Sequence, residues 1–258
     1  MQTPATRRLA HVKSHLDQGF NLDNLIHNIT TGRGNPAACV MGLASHAQAS
    51  AMYAWFGHHD LRSLRQWCYV EARLDQRWYQ IDHGTHNPVP TLRQLLAPLV
   101  SNDEPLIQWF VHDESRFDSA RIEDHKTHDF WAYQAIVALR GEWERLIARC
   151  NKALSDPPKG RDHQKFLADY EFYLALAHRD LDRMSRALQH RVSPHGLRAY
   201  SNLESGYTNQ LISTPAVINA KIGWRHGMEV NVDSPYIPAE WLPNDPLDRY
   251  DPHYDFLR

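Results

Sequence analysis

The chain has 258 residues, of which 42% are hydrophobic and 22% are charged, a composition typical of a folded globular protein rather than a disordered or fibrous one. Its 28 Lys and Arg residues are balanced by 30 Asp and Glu residues, which gives a net charge of −2. Dedicated nucleic-acid-binding proteins usually carry a strong basic excess, so we expect no nucleic-acid partner.

The cysteines and the N-terminal segment indicate a cytoplasmic protein. Cys39, Cys68 and Cys150 lie far apart and form neither a disulfide framework nor a paired zinc motif. Each falls within an apolar helical stripe, so we expect buried thiols in a reducing compartment. Residues 1–18 lack the apolar core of a secretory signal, and no run approaches the roughly 20 apolar residues that span a bilayer. We therefore expect no membrane partner.

Helical spacing of apolar residues dominates the first three quarters of the chain and predicts an all-α fold. Asn35-Pro36 marks the start of an Ala-rich helix over residues 37–56, which we expect to end at Gly57. Asp60 is the predicted N-cap of the next helix. The apolar residues of that helix recur at spacings near three and four: Leu61, Leu64, Cys68 and Leu74.

A turn followed by an acid and a helix recurs at residues 59–64, 141–146 and 179–184. Each copy has a turn residue, an acid, a large apolar residue, two polar positions and an aliphatic residue or Met. The spacing of the last two copies is typical of stacked helical hairpins, so we predict antiparallel hairpins packed in a repeat-like array. The alternative is that any amphipathic helix with a capped start gives this pattern.

Prolines divide the C-terminal part of the chain. They stand at positions 235, 238, 243, 246 and 252, too close together for a helix of more than a turn or two. The same segment has more aromatic and aliphatic residues than a disordered tail would carry. We predict a helical domain over residues 1–227 and an irregular, Pro-rich tail over residues 228–258 that folds onto it, with Trp241 as the anchor.

Residues 101–130 are acidic, with eight acids, three bases and a net charge of −5. Such a stretch can steer a basic partner and raise its association rate, or it can be a solvated connection between helical layers. The candidate partner-binding residues are five acids and one aromatic residue: Asp113, Glu114, Glu123, Asp124, Asp129 and Trp109. Phe110 and Trp131 also flank the stretch, although large aromatic residues at such positions more often belong to the core.

Seventeen histidines raise the question of a metal site. His83 and His86, and also His125 and His128, are spaced three apart beside carboxylates, which on a helix puts both imidazoles on one face. The first pair lies in a loop, and neither pair belongs to a complete ligand motif. Solvated or helix-capping histidines are the favoured interpretation, so we predict no metal and no cofactor. No nucleophile elbow or phosphate-binding loop occurs, and we predict no catalytic residues.

Several runs in the second half of the chain resemble one protein family. They are residues 166–177 (FLADYEFYLALA), 204–207 (ESGY), 213–217 (STPAV), 232–243 (VDSPYIPAEWLP) and the ending over 246–257. These runs resemble members of the bacterial immunity protein 49 family of polymorphic and contact-dependent toxin systems. The first half of the chain has a compatible helical pattern with fewer diagnostic residues.

The resemblance implies a non-enzymatic cytoplasmic protein that binds a toxin encoded by the adjacent gene, so that the producer and its kin are not poisoned. If that toxin acts on phosphates, its cleft is basic, and the acids of residues 101–130 would enter it as phosphate mimics. Two alternatives stay open. A helical-repeat scaffold is favoured if the neighbouring genes encode no toxin. A metal-dependent hydrolase that uses His125 and His128 is favoured if the purified protein holds stoichiometric metal.

Overall fold

In the computed structural model, residues 3–82, 88–160 and 164–258 are described, and they contain helices but no strand. The all-α prediction is confirmed. The α-helices are α1 Pro4–Gln18, α2 Leu22–Thr31, α3 Pro36–His58, α4 Leu61–Ile81, α5 Pro88–Arg93, α6 Leu96–Ser101, α7 Glu104–His112, α8 His128–Leu139, α9 Trp143–Ser155, α10 Leu167–Ala177, α11 Leu181–Arg191, α12 Pro194–Ala199 and α13 Thr214–Arg225. Short 3-10 helices are Glu114–Arg116, Arg121–Glu123, Ser201–Leu203, Ala239–Trp241 and Asp255–Leu257. Within these ranges, no helix combines the length and apolar character needed to cross a membrane.

Side-chain caps set the start of the two longest helices. The Asn35 side chain accepts a hydrogen bond from the backbone N–H of Ala38 at 3.0 Å, and the Asp60 side chain accepts one from Ser63 at 2.9 Å. Both predicted starts are confirmed, because these caps satisfy amides that have no partner within the helix. The predicted end at Gly57 is wrong. Helix α3 continues to His58, and His59 ends it in a left-handed conformation with φ of 53°.

The three turns noted in the sequence share one backbone geometry. Their turn residues have positive φ, and the amide of each following acid donates to a carbonyl in the last turns of the preceding helix. The turn residues are His59, Gly141 and Arg179, and the amide bonds are Asp60 to Ala54 at 3.0 Å, Glu142 to Val137 at 3.2 Å and Asp180 to Ala175 at 2.8 Å. Each bond satisfies an end carbonyl and reverses the chain in two residues. The wider hairpin array remains a prediction.

Small residues on α3 allow it to pack closely against several neighbours. Ala47, Ala49 and Ala51 are fully buried, and α1, α2 and α4 all contact this helix. Helices α8 and α10 are buried along most of their length in the centre of the fold, as expected for helices that are apolar on all sides. The three cysteines are buried free thiols, as predicted.

The C-terminal tail is packed against the helices. Trp241 is fully buried, with its ring centroid 6.1 Å from that of Trp55 and 6.2 Å from that of Phe56. Lys221 on α13 is also fully buried, and its ammonium donates to the carbonyls of Leu242 at 3.0 Å and Pro243 at 3.2 Å. These contacts join the tail to the helical body. The boundary between residues 227 and 228 remains a prediction.

Candidate functional site

The first of the predicted partner-binding acids lie just after α7. Glu114 is exposed and accepts hydrogen bonds from Arg140 Nη1 at 2.7 Å and from Tyr133 Oη at 2.8 Å. The hydrogen bond from Arg140, followed by that from Tyr133, lowers the pKa of Glu114. Asp113 accepts hydrogen bonds from the backbone N–H of Ser115 at 3.1 Å and from its hydroxyl at 2.6 Å. Both carboxylates therefore already accept hydrogen bonds from donors of the same chain.

Glu123 joins two arginines of α9. Its carboxylate lies 2.8 Å from Arg145 Nη2 and 3.1 Å from Arg149 Nη1. Arg149 is only 5% exposed, and its guanidinium lies 3.9 Å from the centroid of the Phe130 ring. Glu123 therefore neutralises a buried cation. Asp124 is exposed, makes no ion pair with the described residues, and accepts a hydrogen bond from the backbone N–H of Lys126 at 3.0 Å.

Asp129 and Trp109 are less accessible than the other predicted residues. Asp129 is 2% exposed and lies 2.8 Å from Arg121 Nε, so its oxygens are below the surface. Trp109 is half-buried, with its ring centroid 4.8 Å from that of Phe110. Phe110 and Trp131 are buried in the core. As a partner-binding set, the acids and Trp109 remain a prediction, and three of the acids already have arginine partners: Glu114, Glu123 and Asp129.

The histidine pairs were the candidates for metal binding. His125 Nε2 lies 2.9 Å from Asp156 Oδ2, and the His128 ring packs at right angles to Phe166, with 5.5 Å between the centroids. His83 and His86 lie outside the described residues. Within the described ranges, no group of three or more His, Cys, Asp and Glu side chains is arranged to hold a metal ion.

A cavity of about 450 Å³ opens between α3 and α4. Two other segments complete its walls: residues 93–96, from the end of α5 to the start of α6, and residues 205–214, which lead into α13. Its lining residues are Met41, Ala44, Ser45, Gln48, Glu71, Asp75, Trp78, Tyr79, Asp82, Arg93, Gln94, Leu96, Ser205, Thr208 and Thr214. The volume falls within the range of roughly 300–1,000 Å³ that is usual for ligand pockets. We refer to this space as the α3–α4 cavity.

Two buried carboxylates of α4 line the α3–α4 cavity one helical turn apart. Glu71 is 7% exposed and Asp75 is 8% exposed. Gln48 Nε2 donates to Glu71 Oε1 at 2.7 Å, and Gln48 Oε1 accepts a hydrogen bond from Ser205 Oγ at 2.6 Å. The hydroxyl of Ser205 thus fixes which end of the Gln48 amide faces Glu71.

A second glutamine holds Asp75 in a similar way. Gln94 hydrogen-bonds to the Asp75 carboxylate, and its own Oε1 accepts a hydrogen bond from Tyr79 Oη. Each carboxylate is therefore held by a glutamine amide, and each amide is held by a hydroxyl: that of Ser205 for Gln48 and that of Tyr79 for Gln94. Such second contacts hold a polar group in place before any ligand arrives.

Burial makes both carboxylates hard to ionise. It raises the pKa of Glu71 well above its ordinary value, with the charge of Asp75 as the next cause, and it raises the pKa of Asp75 to about 7. The charge of Arg93 opposes both shifts, and that of Arg116 opposes the shift of Asp75. Acids with such perturbed pKa values in a cleft are a general sign of a functional site.

A third acid, Glu204, belongs to the same polar network as Arg93. Arg93 Nη1 donates to the backbone carbonyl of Glu204 at 3.2 Å. The Glu204 carboxylate accepts hydrogen bonds from the Thr214 backbone N–H at 2.8 Å, the Thr214 hydroxyl at 2.6 Å and the Thr208 hydroxyl at 2.7 Å. Burial raises the pKa of Glu204. Because Glu204 has its donors and Arg93 has its acceptor, this part of the network is satisfied within the chain.

The α3–α4 cavity is not among the sites predicted from the sequence, although α4 contains a signal for it. Leu64 and Cys68 begin the buried stripe of this helix, and Glu71 and Asp75 occupy the next positions at spacings of three and four. Charged residues are almost never fully buried unless they are paired. Two acids on a buried stripe therefore indicate a polar site inside the fold.

Comparison with known proteins gives one family. The model of the family described as Immunity protein 49 matches residues 75–241, which is more than half of the chain. The matched segment includes Asp75, Arg93, Gln94, Ser205 and the residues that hold Glu204. No curated protein and no solved structure matches the chain. The chain belongs to the Immunity protein 49 family.

Proposed function

We propose that this protein neutralises a cognate secreted bacterial toxin by tight stoichiometric binding that covers the active site of the toxin. The observation that supports this most directly is the family match over residues 75–241. We further propose that the toxin is the product of the adjacent gene, that the complex forms in the cytoplasm, and that the protein acts without turnover.

The fold suits inhibition by occlusion. A tight inhibitor presents a preformed surface in which buried anchors are surrounded by a polar rim. Here two ion pairs, each with one buried member, hold the connection between α7 and α8: Arg121 with Asp129, and Arg149 with Glu123. Buried Trp241 holds the tail. A scaffold fixed in this way loses little conformational entropy when it binds.

Co-expression with the product of the adjacent gene tests the proposal. We expect cells that express the toxin to survive only when this protein is present, and we expect the two chains to purify together in a 1:1 complex. An unrelated toxin, expressed in the same way, should kill regardless of this protein. Rescue without a complex would indicate an enzymatic antidote. A harmless neighbour that does not bind would favour the scaffold interpretation.

A further inference from the structure

The α3–α4 cavity contains two carboxylates that no described cation neutralises directly. None of the ion pairs within 4.0 Å among the described residues includes Glu71 or Asp75. Each is more than nine-tenths buried, and each is held by one glutamine amide. A carboxylate has about four lone-pair sites, so one amide leaves acceptor capacity that can be reached from the cavity.

The charges that line the cavity favour a cation. Three carboxylates and one guanidinium line it: Glu71, Asp75, Asp82 and Arg93. Two further charged groups, Glu204 and Arg116, influence this network and have opposite signs. When Glu71 and Asp75 are ionised, the surroundings are net negative even without Asp82, and burial makes that negative charge costly. A bound cation would remove that cost at Glu71 and Asp75.

The residues that line the cavity suit an organic cation better than a metal ion. Trp78 and Tyr79 present aromatic rings, while Met41, Ala44 and Leu96 present apolar groups. Aromatic faces attract cations, and apolar walls pack against the aliphatic stem of a long basic side chain. A guanidinium fits better than an ammonium, because its planar fork can pair with carboxylates in two-point contacts and can stack on an aromatic ring.

The opening of the cavity points to a protein as the source of this cation. Met41 is 52% exposed and is one of two large hydrophobic residues exposed on the described surface. Met and Arg are enriched in protein interfaces, and Arg is frequent among the residues that dominate binding energy. An exposed Met beside a negative cavity is complementary to an arginine that projects from a partner surface.

We propose that the α3–α4 cavity receives an arginine side chain of the cognate toxin, with its guanidinium between Glu71 and Asp75. This inference rests on the proposed function, since it names the chemistry by which the toxin is recognised. It places recognition on the α4 acids rather than on the acids of residues 101–130.

A small probe tests the chemistry without the toxin. We expect N-acetyl-arginine amide to bind the full-length protein in calorimetry, and N-acetyl-citrulline amide, which has nearly the same shape but no charge, to bind at least tenfold more weakly. The double variant Glu71→Gln/Asp75→Asn should lose the difference between the two probes. Glu229→Gln is the matched control, because Glu229 is exposed and lies outside the cavity. Equal binding of the two probes to the wild-type protein would overturn the proposal.

The toxin provides the second arm. We expect the double variant to bind the product of the adjacent gene about 100-fold more weakly than the wild-type or Glu229→Gln protein. Met41→Lys should weaken the complex as well, because it places a positive charge at the opening. Met41 is exposed, so this variant tests the cavity even if the double variant does not fold.

The outcomes separate the two proposals. If the toxin binds the wild-type protein and both cavity variants equally well, the cavity is not the recognition site, while neutralisation by binding still holds. If the arginine probe binds but the affinity for the toxin does not change, the cavity takes a free small cation instead, and the proposed source is wrong. If the wild-type protein neither binds nor neutralises the toxin, the proposed function fails.

Discussion

The acids between residues 113 and 129 differ from the acids of the α3–α4 cavity in what neutralises them. The side chains of Glu114 and Glu123 are 57% and 58% exposed, yet both lie within 3.1 Å of arginine nitrogens. Glu71 and Asp75 are buried, yet no described cation lies within 4.0 Å of them. The cost of burying a charge would predict the opposite arrangement, because water already stabilises an exposed carboxylate.

The difference shows that a local charge count does not identify the acids available to a partner. The arginines that pair with Glu114 and Glu123 lie on or beside α8 and α9, after the acidic stretch in the chain: Arg140, Arg145 and Arg149. The fold brings these bases back onto the acids. The carboxylates that lack such partners, Glu71 and Asp75, lie instead on α4. Their positions are hard to recognise from the sequence, because they fall on a stripe of buried apolar residues.

The largest expected effect comes from removing the buried arginine beneath the acidic stretch. Arg149 donates to the carbonyls of Ile122 at 2.6 Å and Phe130 at 3.3 Å, and it also pairs with Glu123. Arg149→Met leaves the buried Ile122 carbonyl and the buried Gln134 Oε1 without this donor, so we expect the free energy of unfolding to fall by about 3 kcal/mol. Urea denaturation measures this change.

Arg145→Met is the matched control for that variant. The Arg145 side chain is 39% exposed and pairs with the same Glu123. We expect its removal to change the free energy of unfolding by only about 0.5 kcal/mol, because solvent screens exposed ion pairs. If both variants have equally small effects, the internal pairing does not hold the acidic stretch, and its acids are more available to a partner than we conclude.

Removing a cavity acid should raise the free energy of unfolding instead of lowering it. The pKa of Asp75 is about 7 in the fold, against an ordinary value of 3.8. Between these values the folded chain keeps a proton that the unfolded chain has lost, so this group lowers stability progressively as the pH rises from about 4 to about 7. We expect Asp75→Asn to be more stable than the wild-type protein by a few kcal/mol at pH 8, with no difference near pH 4.

Urea denaturation of both proteins at a series of pH values measures this prediction. The charges of Glu71, Arg93 and Arg116 also influence the Asp75 carboxylate, so the effect of the variant has to be separated from that of a general change in net charge. Glu229→Gln, which removes one negative charge far from these groups in sequence, is the control. A less stable Asn variant at pH 8 would show that cations of the chain neutralise Asp75 and that the cavity has no unmet negative charge.

Local features of the sequence predicted the starts of the two longest helices. Asn35 and Asp60 cap helices through bonds to residues three positions away, and the three turns depend only on neighbouring residues. Such contacts are encoded within a few residues, so they can be read from the sequence. The end of α3 was missed because His59, rather than a glycine, takes the left-handed conformation there.

The α3–α4 cavity could not be assembled from the sequence in the same way. It joins α3, α4, residues 93–96 and residues 205–214, and the amide that orients Glu71 is itself oriented by Ser205. No local pattern links Gln48 with Ser205, because only tertiary packing brings them together. The same limit applies to the acidic stretch, where Glu114 meets Arg140 across the connection between α7 and α8.

The smallest expected effect concerns the one predicted acid that is exposed and has no ion pair with the described residues. Reversing Glu123 would also disturb Arg149, so Asp124→Lys is the cleaner test of steering by this surface. If the stretch steers the toxin, Asp124→Lys should slow association a few-fold at low salt, leave dissociation unchanged, and have almost no effect at high salt. Stopped-flow association measures this. An unchanged rate at low salt would indicate that Asp124 belongs to a solvated connection and does not steer the toxin.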